Sequence, residues 1–281
     1  MAQVSRALKS LGLRLCPRAM RDGLLARHAN LRKAAPAGME LVFDAYLGDV
    51  RVNVNTRFKV ERILWSGVYE RPLIAFLKRR QTAGWCSIDA GANVGAVTLA
   101  LARFAGPAGR VIAFEPGPPN VKRLRANLEL NPELQARVTV VAEGLGNTPG
   151  TLYWEEESGN PGNALLRESE SAATCAVAVT RIDDYLRKHP VARLDFIKID
   201  VEGMELAVLQ GASETIARFK PVVYFETLTR YVGMRSEKVY EGFHRFFVEE
   251  QGYRLHRLTA DGETTPIEGA FRSGYTIAIH P

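Results

Sequence analysis

Ile88-Asp89-Ala90-Gly91-Ala92-Asn93-Val94-Gly95 places an acid at the end of a short apolar run, then two glycines four apart, then the start of a helical pattern. Glycine lets a backbone turn tightly and approach a ligand closely, because no Cβ intervenes. In an open α/β sheet this first strand-to-helix turn is where ligands bind. A dinucleotide site would require G-x-G-x-x-G, whose middle glycine admits the pyrophosphate. Here Asn93 and Val94 fill that space and only Gly91 and Gly95 align. The spacing therefore favours a nucleoside ligand without a pyrophosphate, against the plainer reading of a structural turn.

Outward from this turn, short apolar runs alternate with helical stretches, the pattern of a parallel sheet covered on both faces. Seven strands are expected, at 85–89, 110–115, 138–142, 195–199, 221–226, 253–258 and 273–279, the last ones at a reversed edge. Helices are expected at 94–104, 119–130, 181–187, 204–218 and 236–251. The fold class is α/β, with a mostly parallel seven-stranded sheet and helices on both faces. Residues 41–83 are expected to form a cap of short strands and a helix at 71–80, and residues 84–281 the main domain. A polar stretch interrupts the rhythm, and Thr151–Trp154 with Cys175–Val179 are expected to pair as an inserted hairpin within about 147–179.

Glu115 ends the second strand 20 residues after Gly95. A carboxylate there can accept from ribose hydroxyls. Glu143, after the third strand, is a candidate for contact near an adenine. The densest polar block is Ile197-Lys198-Ile199-Asp200-Val201-Glu202-Gly203-Met204-Glu205. Strand alternation puts Lys198 and Asp200 on one face, and a lysine in a doubly covered strand needs an acid beside it. Asp200 and Glu202 would bind substrate hydroxyls or a cofactor, act as a general base, or help to hold a divalent cation. Two acids are too few to assign a metal, and positioning with proton acceptance is favoured. Glu205 falls in a first helical turn, where the helix dipole accounts for it.

With 46% apolar residues, 281 residues suffice for a sizeable core. Cys16, Cys86 and Cys175 are odd in number and contain no CxxC pair, so neither a disulfide framework nor a zinc ribbon is suggested. Residues 1–40 carry eight Lys or Arg against two acids, which accounts for the whole net charge of +6. The neutral remainder offers no phosphate-tracking surface, and no nucleic-acid partner is expected. Val4, Leu8, Leu11 and Leu15 recur at helical spacing among these basic residues. The basic amphipathic extension at 1–40 has three readings: a helix packed on the domain, an organelle-targeting segment, or a surface that meets an anionic membrane or acidic partner through residues 1–33. The expectation is a cytoplasmic protein, with peripheral membrane attachment as the variant.

Three blocks together resemble the FkbM family of S-adenosylmethionine (SAM)-dependent methyltransferases: the Ile88–Gly95 turn, Phe114-Glu115-Pro116 with Asn120, Asn127 and Asn131, and above all Ile197–Glu205 with Leu209 and Gly211. Tyr69-Glu70 and Arg181-Ile182-Asp183 also look like family positions, and the resemblance spans about 66–227. Ala90 stands where a larger aliphatic residue is common in the family. The resemblance implies a class I methyltransferase (Rossmann-like) fold, SAM as donor and an oxygen acceptor, often on a sugar or a polyketide-like product. It implies cofactor roles for Gly91, Asn93 and Gly95 in the turn, for Asp89 supporting it, for Glu115 on the ribose, and for Tyr69 and Glu70 closing over the methionine end. Asp200, with Glu202, would accept the hydroxyl proton. A saccharide or glycosylated acceptor is favoured, on the polar and aromatic company of Tyr153, Trp154, Asn160 and Asn163. The alternatives are a natural-product O-methyltransferase and a SAM-binding module without catalysis.

Overall fold

A computed structural model describes residues 38–281 except 66, 68, 81–82, 158–159, 228–235 and 269–273. The basic segment 1–37, including Cys16, lies outside the described residues. In chain order the cap comprises β1 (Glu40–Tyr46), β2 (Val50–Asn55), α1 (Lys59–Trp65) and α2 (Arg71–Arg80). The domain then runs β3 (Cys86–Ala90), α3 (Ala96–Ala105), β4 (Arg110–Phe114), α4 (Pro118–Glu129), α5 (Pro132–Gln135) and β5 (Val138–Val141). After β6 (Gly144–Leu145), β7 (Gly150–Glu157), β8 (Asn160–Arg167) and β9 (Thr174–Thr180) come α6 (Ile182–Lys188), β10 (Phe196–Ile199), α7 (Glu205–Gln210), α8 (Ser213–Phe219) and β11 (Val222–Thr227). The chain ends with α9 (Ser236–His244), a π-helical turn (Arg245–Glu250), β12 (Arg254–Leu258), β13 (Thr264–Pro266) and β14 (Gly274–Ile279). Among the described residues no helix is long and apolar enough to cross a membrane.

The main sheet has the order β13-β12-β14-β11-β10-β3-β4-β5. The five strands from β11 to β5 are parallel, and β14, β12 and β13 close the other edge antiparallel. It has eight strands rather than the expected seven. The extra one, β13, is the return arm of a hairpin whose Thr259 and Glu263 are hydrogen-bonded through the backbone, and Thr-Thr-Pro carries no apolar alternation to announce it. Alternation divides the core as expected. Ile88, Ile197, Ile199, Val223 and Phe225 pack on one face, while Val111, Phe196, Tyr224 and Ile277 pack on the other beneath the cap.

Two further elements differ from expectation. The helix expected at 204–218 is split at Gly211–Ala212 into α7 and α8. A Cβ on Gly211 would sit 2.0 Å from the Gly146 carbonyl oxygen, and the Gly211 carbonyl accepts the Asp183 N–H at 3.0 Å. The buried Asp183 carboxylate then accepts the Thr215 and Glu214 N–H groups at 2.9 and 3.3 Å, capping α8 from outside the helix. The inserted hairpin is a separate four-stranded sheet, β6-β9-β7-β8. Its β7–β9 pairing contains the expected partners, and β8 adds an outer strand.

The cap is fastened by asparagine side chains of α4 and the turn that follows it. Asn127 accepts the Asn53 N–H at 2.7 Å and donates to the Val94 carbonyl at 2.7 Å, so one buried amide joins β2 to the loop before α3. Asn131 accepts the Arg51 N–H and donates to its carbonyl. Arg123 completes the attachment with an ion pair to the buried Glu61. Asn127→Ala leaves both backbone groups without this partner, and a loss of about 1–3 kcal/mol in urea unfolding is expected.

Candidate active site

Lys198 and Asp89 stand directly opposite each other on β10 and β3, and Tyr224 is opposite Lys198 on β11. All three belong to the face under the cap. The Lys198 ammonium is buried, 3.3 Å from Asp89 Oδ1 and 3.7 Å from Asp200 Oδ2. It donates to the carbonyl of Gly91 at 2.7 Å and that of Ala90 at 3.3 Å. Burial favours its neutral form, but Asp89, Asp200 and Glu70 more than offset this and raise its pKa. Thr98 donates to the other Asp89 oxygen at 2.6 Å. The acid expected beside Lys198 is therefore present twice over, and the lysine holds the Gly91 turn against β10. Contact is tight there: a Cβ on Gly91, whose φ is +78°, would lie 1.9 Å from the Asp200 carbonyl oxygen.

One position further along the same face lies a second polar row. Asp200 follows β10, Glu226 is two residues beyond Tyr224, and Tyr275 is directly opposite Glu226 on β14. Glu226 lies within electrostatic reach of Asp200, and Tyr275 within that of Glu226 and Glu70. Glu70 accepts from Tyr224 Oη at 2.7 Å. The Tyr224 and Tyr275 rings stack with centroids 5.8 Å apart, and Tyr275 is 40% exposed. Burial raises the Glu226 pKa to about 8, reinforced by the charges of Asp200, Glu70 and Glu202. Burial likewise raises that of Glu70.

A pocket opens at the carboxyl edge of β3, β4, β5 and β10. Its wall includes Gly91 and Asn93 after β3, Glu115 after β4, Glu143 after β5, and Asp200 and Glu202 after β10. Glu115 is buried, and its carboxylate is fixed by three donors. Oε1 accepts from the Gly117 N–H (2.9 Å) and Asn120 Nδ2 (3.1 Å), and Oε2 from the Asn93 N–H (2.8 Å). The remaining acceptor capacity is chiefly on Oε2. Burial raises the Glu115 pKa against the opposing effect of these donors. The far wall comes from the insertion, through Trp154, Ala164 and Leu166.

Among the sequence-selected residues, Gly91, Asn93, Glu115, Glu143, Asp200 and Glu202 thus meet at one pocket, whereas Asp89, Gly95, Tyr69 and Glu70 do not line it. Asp89 is enclosed with both oxygens engaged by Lys198 and Thr98. Gly95 starts α3, where a Cβ would lie 2.3 Å from Leu124 Cδ1. Tyr69 and Glu70 belong to the neighbouring polar row, within electrostatic reach of Asp200. Glu205 does more than complement a helix dipole: it is buried and accepts the Val201 and Gly203 N–H groups at 3.2 and 3.1 Å, shaping the loop that carries Glu202. Trp154, grouped with residues suited to a sugar, instead stands beside Glu115, and the side chains of Asn160 and Asn163 lie outside the described residues. Sequence reasoning missed Glu226 and Tyr275. The parity of Tyr224 and Glu226 was a usable signal for the first, but the second depends on an antiparallel register with a strand some 50 residues away. Among the described residues, no three His, Cys, Asp or Glu side chains are grouped so as to hold a metal ion.

Residues 89–255 match the Methyltransferase FkbM domain, more than half of the chain. The chain belongs to the FkbM methyltransferase family. Within it, Methyltransferase sdnD of Sordaria araneosa is 32% identical over 157 residues, covering 45% of this chain and 60% of that protein. Methyltransferase 1 of Beauveria bassiana is 29% identical over 150 residues, covering 45% and 58%. The chain thus spans three-fifths or less of the length of these relatives. The crystal structure of Methyltransferase FkbM from Methylobacillus flagellatus KT is similar at 18% identity with a TM-score of 0.49, covering 79% of this chain and 54% of that one.

Removing the ammonium from this FkbM-family site tests its place in the network. Lys198→Met leaves Asp89 buried without its cation, and a loss of about 3–5 kcal/mol in urea unfolding is expected. A loss below about 1 kcal/mol would show that Thr98 alone satisfies Asp89.

Proposed function

We propose that the protein is a SAM-dependent O-methyltransferase whose acceptor is a hydroxyl of a saccharide or glycosylated metabolite. The observation that carries this reading is the Asp200–Glu226–Tyr275 row beside the Gly91 turn. It sets a carboxyl pair and an aromatic face next to a pocket with the features of a nucleoside site. The residues fit SAM: Gly91 admits no side chain, the fixed Glu115 carboxylate retains room to accept from a ribose hydroxyl, and Glu143 lies at the same end. Gly91 and Asn93 would hold the donor at the turn, with Asp89 and Gly95 supporting it from behind. Tyr69 and Glu70 would bound the methionine end on the cap side.

The donor's sulfonium supplies an already activated methyl group. The protein's task is then to align the acceptor oxygen for in-line attack and to take its proton. With SAM held there, the methyl carbon would pass from the sulfonium sulfur to that oxygen, leaving S-adenosylhomocysteine (SAH), and Asp200 would accept the hydroxyl proton with Glu226 beside it favouring the protonated form. A lone carboxylate is a weak base towards an alcohol, and two carboxyls competing for one proton bind it more tightly. Lys198 limits the charge left on Asp200. The exposed Tyr275 ring offers the apolar face of a sugar a surface, with Glu202 and Glu70 near enough to accept from further hydroxyls. This arrangement suits a polyhydroxylated acceptor better than a deep apolar pocket would. A cation is not needed in this scheme, and an EDTA arm in the methyl-transfer assay checks that point.

Below about pH 8 Glu226 retains its proton, so kcat/KM is expected to rise with pH through that value and then level off. Glu226→Gln removes this limb, and an unchanged profile would exclude the pair as proton acceptor. Asp200→Asn is expected to lower kcat by about 10²–10⁴-fold at unchanged SAH affinity, and full turnover at unchanged affinity would refute its assignment. Folding supplies an independent readout. Between the ordinary value of 4.5 and about 8 the folded protein keeps a Glu226 proton that the unfolded chain has released, so this contribution to stability falls as pH rises across the window. Glu226→Gln should flatten the decline of Tm between pH 6 and 8.5.

A further inference from the structure

The insertion turns one face towards the pocket. Trp154 on β7 is directly opposite Leu166 on β8, and Ala164, two residues from Leu166, shares its side of the strand. All three line the pocket. Each of the two larger side chains rests on a glycine that follows a strand of the main sheet. A Cβ on Gly117, after β4, would lie 2.5 Å from Trp154 Nε1 and 2.7 Å from Cε2. A Cβ on Gly144, after β5, would lie 3.0 Å from Leu166 Cδ1. The inserted sheet is therefore seated on the carboxyl ends of β4 and β5, closely at Gly144 and so tightly at Gly117 that a side chain there would displace the indole.

The same Gly117 point is 3.0 Å from Glu115 Oε1. The indole edge and the acid assigned to the ribose thus meet at one glycine. A purine is joined directly to its ribose, so a ribose held at Glu115 leaves its base within reach of the Trp154–Leu166 face. Asp200, Glu226 and Tyr275 lie on the opposite side of β3, towards β11 and β14, which separates this face from the acceptor end.

We infer that the inserted sheet is the adenine-binding wall of the cofactor site, with Trp154, Leu166 and Ala164 forming an apolar surface against the base. This goes beyond the proposed function and rests on its assignment of SAM as donor. The insertion, whose Tyr153 and Trp154 read in sequence as company for a saccharide acceptor, then acts at the donor end. The apolar wall supplies affinity for the base without a hydrogen-bond partner of its own, while Glu143 stands nearby for its polar edge.

The test is calorimetric titration of the full chain with SAH and, separately, with adenosine. Trp154→Ala is expected to weaken SAH binding on the order of 10- to 100-fold, as loss of an aromatic partner to a base does. Adenosine binding should fall in parallel, and Trp154→Phe should recover most of the affinity. Thermal melts report whether each variant is folded. Gly117→Ala, which displaces the indole, should act in the same direction as Trp154→Ala. In a Trp65→Phe, Trp85→Phe background, the Trp154 emission should change when SAH is added. Wild-type affinity in folded Trp154→Ala would overturn the adenine wall and leave the donor assignment standing. Failure of the wild-type chain to bind SAH at all would overturn the donor assignment itself.

Discussion

A single ammonium group organises the centre of this molecule. Lys198 is buried in a strand covered on both faces, where an unpaired charge would be prohibitively costly, and its partners come from the pieces that must be brought together. Asp89 stands near the end of β3, Asp200 begins the acidic loop, and the Ala90 and Gly91 carbonyls lie where β3 passes into the turn. Satisfying the lysine therefore fixes the turn relative to the loop. The 1.9 Å approach that a Gly91 Cβ would make to Asp200 shows how closely the two are drawn together. Replacing such a charge cluster whole by apolar residues would cost little net stability, unlike removal of the lysine alone, but the charges specify one arrangement of backbone where apolar contacts would permit several.

From this lock the polar groups extend as rows across the sheet. Asp89, Lys198 and Tyr224 form the lower row, and Asp200, Glu226 and Tyr275 the upper one. Both rows lie on the face covered by the cap, which contributes Glu70 to them. The period-2 alternation of strands thus does chemical sorting. Ile197, Ile199, Val223 and Phe225 face one core, and the intervening Lys198, Tyr224 and Glu226 collect beneath the cap, where they must satisfy one another.

That sorting also explains what was legible in the sequence. The alternation of strands and helices, the partner owed to Lys198 and the gathering of Gly91, Asn93, Glu115 and Asp200 follow from local pattern and from the direction of parallel strands. Glu226 and Tyr275 become neighbours only through the antiparallel return of β14, whose register no local pattern states. The break between α7 and α8 depends on Gly211 meeting the backbone of Gly146, a contact between distant segments. Trp154 is the clearest instance: its composition suggested a sugar, and its place beside Gly117 and Glu115 depends on how the insertion is seated on the main sheet.

The way the insertion rests on Gly117 and Gly144 gives the protein a modular division of labour. The proposed donor end is walled by a sheet whose described strands pair with one another and not with the main sheet, whereas the proposed acceptor end draws on the cap, β11 and β14. An engineer seeking a new acceptor would thus diversify the cap turn and the surroundings of Tyr275 and leave β7 and β8 intact. Recombination between relatives would find its natural seams at the two ends of the insertion, where the chain leaves the main sheet after β5 and rejoins it at α6.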